Sequence, residues 1–407
     1  MQYEIKMING IKTVFAELPQ ANSTTIQVMV KAGSFFETQK TNGLSHFLEH
    51  MFFKGWKKYT TPKAVAEALD SFGAAYNAFT WEEYAWYWIK SSPQYSLRAL
   101  DILADMLVWS QFPQDEMERE KWVIIQEVMM YEDNPQQQVV EKRRDWYYGN
   151  SSYGKSILWP VENISWFTRD DLLVHKEWLY TKDNLVLVVA GNLQHRKDME
   201  KEIGELFWPL PEQKTIATPI FSPTKPTDHE NHFVKDTQQH HVIIWSDGYT
   251  IYDEERFAAR MLSTILGGMM SSRLFQNIRE QRGLCYYIGA QHAPGEVTGT
   301  FWIYAGMEKA RWPEWLAAIY WEIADIAANP VTEEEFTKAL GNISWGTQMW
   351  IETSNSMAWF IWNQLLYKDD ILTLDDILTK YESLTPTDLA KVAKKLLKDN
   401  LWTYWIE

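Results

Sequence analysis

Two histidines four residues apart, His46 and His50, with a glutamate one place before the second, are the residues of this chain best suited to chemistry. They lie in Gly43-Leu44-Ser45-His46-Phe47-Leu48-Glu49-His50-Met51. On a helix, positions i and i+4 share a face, so both imidazoles can meet one metal ion. Glu49 falls on nearly the same face and can reach a water held by that ion. Zinc lowers the pKa of such a water toward about 7, and a nearby carboxylate can take its proton. The pattern H-x-x-E-H is the inverted form of the commoner H-E-x-x-H. Two histidines at this spacing often have no common task. The intervening glutamate and the apolar companions Leu44, Phe47, Leu48 and Met51 argue that these do.

A catalytic zinc takes three protein ligands and keeps a fourth position open, so the third ligand should come from another element. The segment 115–127 reads as a helix that offers Glu120 and Glu127, seven apart and therefore aligned. A solvated charged face is the ordinary reason for such glutamates. Glu127 departs from it, because Val123, Ile124, Ile125, Val128 and Met129 flank it. A carboxylate in that setting needs a partner, and a cation supplies one. His240-His241 precede a strand without an adjacent acidic ligand and read as structural, and the remaining histidines are scattered.

The elements that must position these groups are legible in outline. The first 30 residues suggest two strands, the clearer being the β-branched run Thr24-Thr25-Ile26-Gln27-Val28-Met29-Val30. Helices are expected over 42–53 and 61–72, the second opened by Thr61-Pro62. Strand character returns over 74–90, and helical patterns fill 94–109 and 114–132. The run 184–191 is a buried strand. The proline-rich stretch 209–227 reads as a linker. Beyond it come a strand near 240–246, a helix near 253–266, paired strands near 286–306 and helices over 312–328 and 332–366. Strand, helix, strand and helix thus appear once in each half. The expected fold is α+β, with an N-terminal domain over 1–210 holding the metal motif, a linker over 211–227 and a similar C-terminal domain over 228–407.

Composition narrows the function. The chain has 407 residues, ample for two domains, and 46% are hydrophobic. Its 39 Lys+Arg against 54 Asp+Glu leave a net charge of −15, which argues against a sequence-independent grip on nucleic acid and suits basic ligands. One cysteine, Cys285, precludes an intrachain disulfide. No run of 18 apolar residues is present, so no membrane span is expected. The start MQYEIKMINGIK lacks signal-peptide character, and the expected location is cytoplasmic.

The motif His46-Phe47-Leu48-Glu49-His50-Met51-Phe52-Phe53-Lys54-Gly55, with Glu118-Arg119-Glu120-Lys121 leading into Glu127, resembles the pitrilysin, insulysin and mitochondrial-processing-peptidase family of inverted-motif zinc peptidases. The resemblance implies that His46, His50 and Glu127 bind one zinc ion per chain. It implies further that Glu49 is the general base and Glu120 a supporting carboxylate behind the ligands. Asn77-Ala78-Phe79-Thr80 is similar to a family strand edge beside the metal, where the substrate peptide adds as an extra strand. Asn77 and Phe79 are the substrate contacts this implies. The stretch from Ser271 to Tyr286 resembles the carboxy-domain signature, and Arg279 and Tyr286 fall where the family carries an Arg/Tyr pair that holds the substrate across a chamber. A helix-to-strand junction with a surface arginine is the alternative there. Family members of this length form half of a clamshell, so two chains enclose the chamber, as a homodimer or as a heterodimer with a related chain. The implied activity is that of a zinc endopeptidase acting on peptides or on unfolded, presequence-like segments. The rival is a non-catalytic subunit, but such members lose part of the zinc motif and here none is lost.

The chain also holds 22 Trp and only 19 Gly. Trp122, Trp159, Trp245 and Trp362, with Trp81 and Trp86 as further candidates, stand where similar family segments commonly carry glycine. Glycine tolerates positive φ and close backbone approach, which an indole does not. Excess tryptophan beside deficient glycine fits a gene that uses UGA for glycine, translated here as tryptophan.

Overall fold

The computed structural model describes residues 2–149, 151–157, 160–212, 216, 219, 221–398 and 401–407. The chain divides into two compact units that are discontinuous in sequence. The first comprises Met1–Met129, Asn150–Ser222 and Trp350–Ile371. The second comprises Met130–Gly149, Pro223–Met349 and Leu372–Glu407.

The first unit is built on six strands, β1 (Gln2–Ile8), β2 (Ile11–Glu17), β3 (Thr24–Val30), β4 (Ala75–Thr80), β5 (Ala85–Ser91) and β6 (Leu185–Gly191), in the order β1-β2-β6-β3-β5-β4. Only β2 and β6 run parallel; the other pairs are antiparallel. Every residue of β3 and β6 is buried, which is why both read as continuous β-branched and apolar runs rather than alternating ones. Even Thr25 and Gln27 of β3 are enclosed, their side chains hydrogen-bonded to Ser354 (2.8 Å) and Asn355 (3.0 Å) on the helix Ser354–Leu365. The helix Ser96–Trp109 packs against β3 and β5. The first 17 residues hold two strands where one was expected before β3: Asn9 (φ 50°) and Gly10 (φ 86°) form a two-residue turn that folds them into a hairpin.

Two helices of this unit matter for the site, α1 (Leu44–Met51) and α2 (Gln114–Glu132), the latter running on past Met129 into the second unit's residues. The helix Pro62–Asp70 begins as expected at Thr61, whose side chain accepts the Ala64 N–H.

The second unit has five strands, β7 (Glu230–Phe233), β8 (Gln239–Gly248), β9 (Cys285–Pro294), β10 (Gly299–Glu308) and β11 (Trp402–Ile406), in the order β7-β11-β8-β10-β9. Again one pair, β7 and β11, is parallel and the rest antiparallel. Helix α3 (Arg256–Ser263) follows β8 and continues into a π-helical turn over Thr264–Gly268. The expected helix over 332–366 is two helices, Glu333–Trp350 and Ser354–Leu365, because Thr353 caps the second by accepting the Ser356 N–H at 3.1 Å. The fold is therefore α+β, two units each with a mainly antiparallel sheet and packed helices. No helix among the described residues is long and apolar enough to cross a membrane.

Of the linker stretch, residues 213–215, 217, 218 and 220 lie outside the described residues, as does Trp159. Among the described residues no tryptophan has a positive φ, so backbone conformation does not demand glycine at any of them. Packing gives a different signal. Trp245 and Trp362 are fully buried, Trp86 is 7% exposed, and the indole N–H of each lacks an acceptor. A buried donor left unsatisfied costs about 1–3 kcal/mol. Trp122 and Trp81, by contrast, lie largely in solvent.

Candidate metal centre

Helix α1 is fixed at its N-terminus and along one face. Gly43, at φ 97°, turns the chain into it. The buried carboxylate of Glu37 then accepts the N–H groups of Gly43 (2.8 Å) and Ser45 (2.7 Å) and the side-chain amide of Asn42 (3.0 Å). A negative group there meets the unpaired donors and the positive end of the helix dipole. Leu44, Phe47, Leu48 and Met51 are buried, and Ser45 Oγ lies 2.8 Å from His175 Nε2 on the helix Arg169–Leu179. The apolar companions of the motif thus hold the helix down, and one polar stripe is left for His46, Glu49 and His50.

The two rings converge. His46 Nε2 and His50 Nε2 are 3.2 Å apart. Glu127 on α2 brings Oε2 to 3.4 Å from His50 Nε2 and 3.7 Å from His46 Nε2. Ligands at zinc–nitrogen and zinc–oxygen distances of about 2.0–2.2 Å in tetrahedral geometry stand about 3.3 Å from one another. The three atoms fit that spacing. They are also the one group among the described residues with His, Cys, Asp or Glu ligand atoms close enough to share an ion.

Behind the ligands, Glu120 on α2 is 4% exposed and places Oε1 2.8 Å from His50 Nδ1, while its Oε2 receives Lys54 Nζ at 2.5 Å. A neutral His50 donating from Nδ1 to Glu120 presents the lone pair of Nε2 to the ion. His46 is held differently, its buried Nδ1 having no partner. Glu49, one residue from His50, accepts the hydroxyl of Thr80 at 2.7 Å on Oε2.

The charges are strongly coupled. Burial pushes the His46 ring down to about 3, and the His50 charge adds to this. Burial also opposes charge on His50, but its bonds to Glu120 and Glu127 outweigh it and raise the ring to about 9. Burial lifts the Glu49 carboxyl to about 7 against the hydrogen bond from Thr80. Glu120 and Glu127 stay below the usual carboxylate range despite burial, through hydrogen bonds from His50 and, for Glu120, Lys54. A cation between the rings would replace the His50 proton and favour the ionised form of Glu49.

The other residues named from the sequence are placed as follows. Strand β4 is last in the first sheet, and among the described residues no strand pairs with it on the side away from β5. Along it Tyr76 stacks near Phe53 and Thr80 reaches Glu49, so these two face α1. Asn77 and Phe79 alternate onto the opposite face. Asn77 is exposed, and Phe79 packs edge-on against Trp86 at 4.6 Å. Their side chains are not gathered at the ligands, and what they offer at the strand edge is main chain. In the second unit, the Arg279 guanidinium lies 5.8 Å from the ring centre of Tyr286, which is 77% exposed at the start of the edge strand β9. Thr80, Lys54 and Glu37 are site residues that the sequence reading did not assign. Thr80 and Lys54 were within reach, since Thr80 ends the segment Asn77–Thr80 and Lys54 lies within His46–Gly55.

Two histidines and one carboxylate, carried by helices beside a mainly antiparallel sheet and close enough to share an ion, suit a metal-dependent hydrolase. The comparisons with known proteins place the chain in a family. Residues 12–161 match the family model described as insulinase (peptidase family M16), and residues 167–343 match the peptidase M16 inactive domain. The chain is 33% identical over 397 residues to the uncharacterized zinc protease YmxG of Bacillus subtilis (strain 168), covering 96% of this chain and 95% of that one. It is 26% identical over 403 residues to a probable mitochondrial-processing peptidase subunit beta of Arabidopsis thaliana, covering 96% of this chain and 75% of that one. Among solved structures, a protease from Helicobacter pylori superposes with a TM-score of 0.90 at 21% identity, covering 100% of this chain and 99% of that one. The chain belongs to the M16 (insulinase) family of peptidases.

Proposed function

We propose that this chain is a zinc-dependent endopeptidase in which His46, His50 and Glu127 hold one zinc ion and Glu49 is the general base. The observation that carries the reading is the convergence of the three ligand atoms to within 3.2–3.7 Å with Glu49 one residue from His50. When bound, zinc polarises the scissile carbonyl and acidifies the attacking water. Glu49 takes the proton of that water as it attacks the carbonyl carbon and returns it to the leaving amine nitrogen. Glu120 keeps His50 in the tautomer that binds metal, and Lys54 neutralises the far oxygen of Glu120.

The substrate we propose is a peptide in extended form, or an unfolded, presequence-like segment. The edge of β4 beside α1, unpaired by any strand among the described residues, supports this, because main-chain pairing there recognises backbone rather than sequence. Asn77 and Phe79 contribute at that edge. Arg279 and Tyr286, a cation and an exposed phenol, suit a peptide carbonyl or the oxyanion that forms from it. We further propose that two chains close around the substrate, as a homodimer or with a related partner. The similarity to a protein named as one subunit of a processing peptidase supports a two-chain assembly. The test is Glu49→Gln. It should abolish peptide hydrolysis, read by mass spectrometry on a peptide library, while zinc content stays at one per chain; retained turnover overturns the assignment of the base.

A further inference from the structure

Thr80 closes strand β4 and is 6% exposed, yet its hydroxyl is spent on a single partner, Glu49 Oε2 at 2.7 Å. The hairpin that follows is held so that this hydroxyl has little freedom. Trp81 N–H donates to the Tyr84 carbonyl at 2.7 Å, closing the turn between β4 and β5. Phe35 N–H donates to the Glu82 carbonyl at 2.8 Å. Gly33, at φ 130°, lies so near the same turn that a Cβ there would stand 2.1 Å from the Trp81 carbonyl oxygen, so no other residue permits this approach. Beneath the turn, the buried carboxylate of Glu83 accepts the hydroxyls of Tyr153 and Tyr367. Backbone and side chains thus hold residues 81–84, immediately after the residue that hydrogen-bonds the base.

We propose that Thr80 is a positioning residue for catalysis: its hydroxyl holds the Glu49 carboxylate in the rotamer that faces the ligand atoms, with Oε2 occupied and Oε1 left to exchange the proton. The inference rests on Glu49 being the base. The methyl group of Thr80 has no part in this, and of the other side chains on the same face Ala78 has no polar group and Tyr76 packs against Phe53. A carboxylate without this donor loses what fixes its direction, and misplacement of a reacting group by about 1 Å can cost about a hundredfold in rate. A strand that receives substrate along its edge and ends on the base's anchor also gives peptide and base a common frame.

Thr80→Val keeps the shape and removes the donor, while Thr80→Ser keeps the donor and removes the methyl group. For Thr80→Val, kcat should fall by about tenfold to a hundredfold with KM changed less than about threefold and zinc at the wild-type stoichiometry. Thr80→Ser should remain within about threefold of wild type in kcat. A Thr80→Val enzyme with wild-type kcat, or a Thr80→Ser enzyme as slow as Thr80→Val, overturns the proposal. Crystal structures of the zinc-loaded wild type and Thr80→Val judge the positioning without reference to turnover: the Glu49 carboxylate should leave its wild-type rotamer in the variant, and an unmoved carboxylate overturns the proposal. If Glu49→Gln retains full activity, the reading of Glu49 as base fails instead, and the crystal structures still decide whether Thr80 orients it.

Discussion

The two units share a strand plan and part company in one helix. In the first, β2, β6, β3, β5 and β4 lie side by side with β2 and β6 parallel; in the second, β7, β11, β8, β10 and β9 repeat that order with β7 and β11 parallel. The central strand of each, β3 or β8, is followed by a helical connection to the far edge strand, β4 or β9. In the first unit that connection contains α1, with His46, Glu49 and His50. In the second it contains α3, Arg256-Phe257-Ala258-Ala259-Arg260-Met261-Leu262-Ser263, with Phe257, Ala258, Ala259, Met261 and Leu262 buried and no His, Cys, Asp or Glu. The same strand plan thus carries two histidines and a glutamate on the helix of one unit, and two arginines on that of the other. Function follows the helix rather than the sheet.

The strongest test of that contrast removes ligands. Glu127→Ala should abolish stoichiometric zinc and lower hydrolysis by at least about a thousandfold, because it opens the coordination shell. Arg260→Ala, at the matching helix of the second unit, should leave zinc content unchanged. Zinc loss in both variants would break the assignment of the metal to the first unit alone.

A smaller effect is expected for the second unit's own candidates. Arg279→Ala should raise KM by about tenfold with zinc content unchanged, if the guanidinium beside Tyr286 holds a peptide carbonyl. Unaltered kinetics would make Arg279 a surface residue at a helix-to-strand junction.

The protonation of the site sharpens the comparison further, since among the described residues the convergent ligand atoms lie in the first unit. His50 carries its proton below about 9 in the metal-free protein, whereas burial keeps His46 neutral down to about 3. Zinc must therefore expel the His50 proton, and apparent affinity should rise by about tenfold per pH unit up to about pH 9 and then level off. Calorimetry at pH 7.5 in buffers of different ionisation enthalpy should report release of about one proton per zinc. The sign for stability is opposite. His50 has a raised pKa, so its stabilisation of the metal-free protein is complete below about pH 6.5 and is lost as pH rises through about 9.

How much of this was legible in the sequence depended on the range of the interactions involved. His46, Glu49 and His50 are one helical turn, so spacing alone put them on one face. Glu127 was legible because a carboxylate in an apolar run asks for a partner. The strands β3 and β6 announced themselves as continuous β-branched and apolar runs because both of their faces are buried. The hairpin turn at Asn9-Gly10 was readable and was missed. What no local pattern could show was the regrouping of residues 350–371 with the first sheet and 130–149 with the second unit. Those attachments rest on contacts such as Thr25 with Ser354, made by residues more than 300 positions apart. For the same reason the partnership of Thr80 with Glu49 had to wait for the fold, since a strand end and a helix meet only after the sheet forms.

The smallest expected effect concerns the tryptophans, and it arises in both units. Trp362 in the first and Trp245 in the second are fully buried with indole N–H groups that have no acceptor. Replacing a well-satisfied buried tryptophan by phenylalanine loses apolar contact and costs about 1–2 kcal/mol. Here the same change also removes an unsatisfied donor, returning about 1–3 kcal/mol. Trp362→Phe and Trp245→Phe should therefore leave stability within about 1 kcal/mol of the parent, read by denaturant unfolding. A loss of several kcal/mol would show that the indoles are native fittings of these cores. Peptide mass mapping of the protein from its native source supplies the complementary reading, with glycine masses expected at 245 and 362 if UGA encodes glycine there. Because no ligand, base or positioning residue is a tryptophan, this outcome bears on the packing of the two units and leaves the difference between their helices intact.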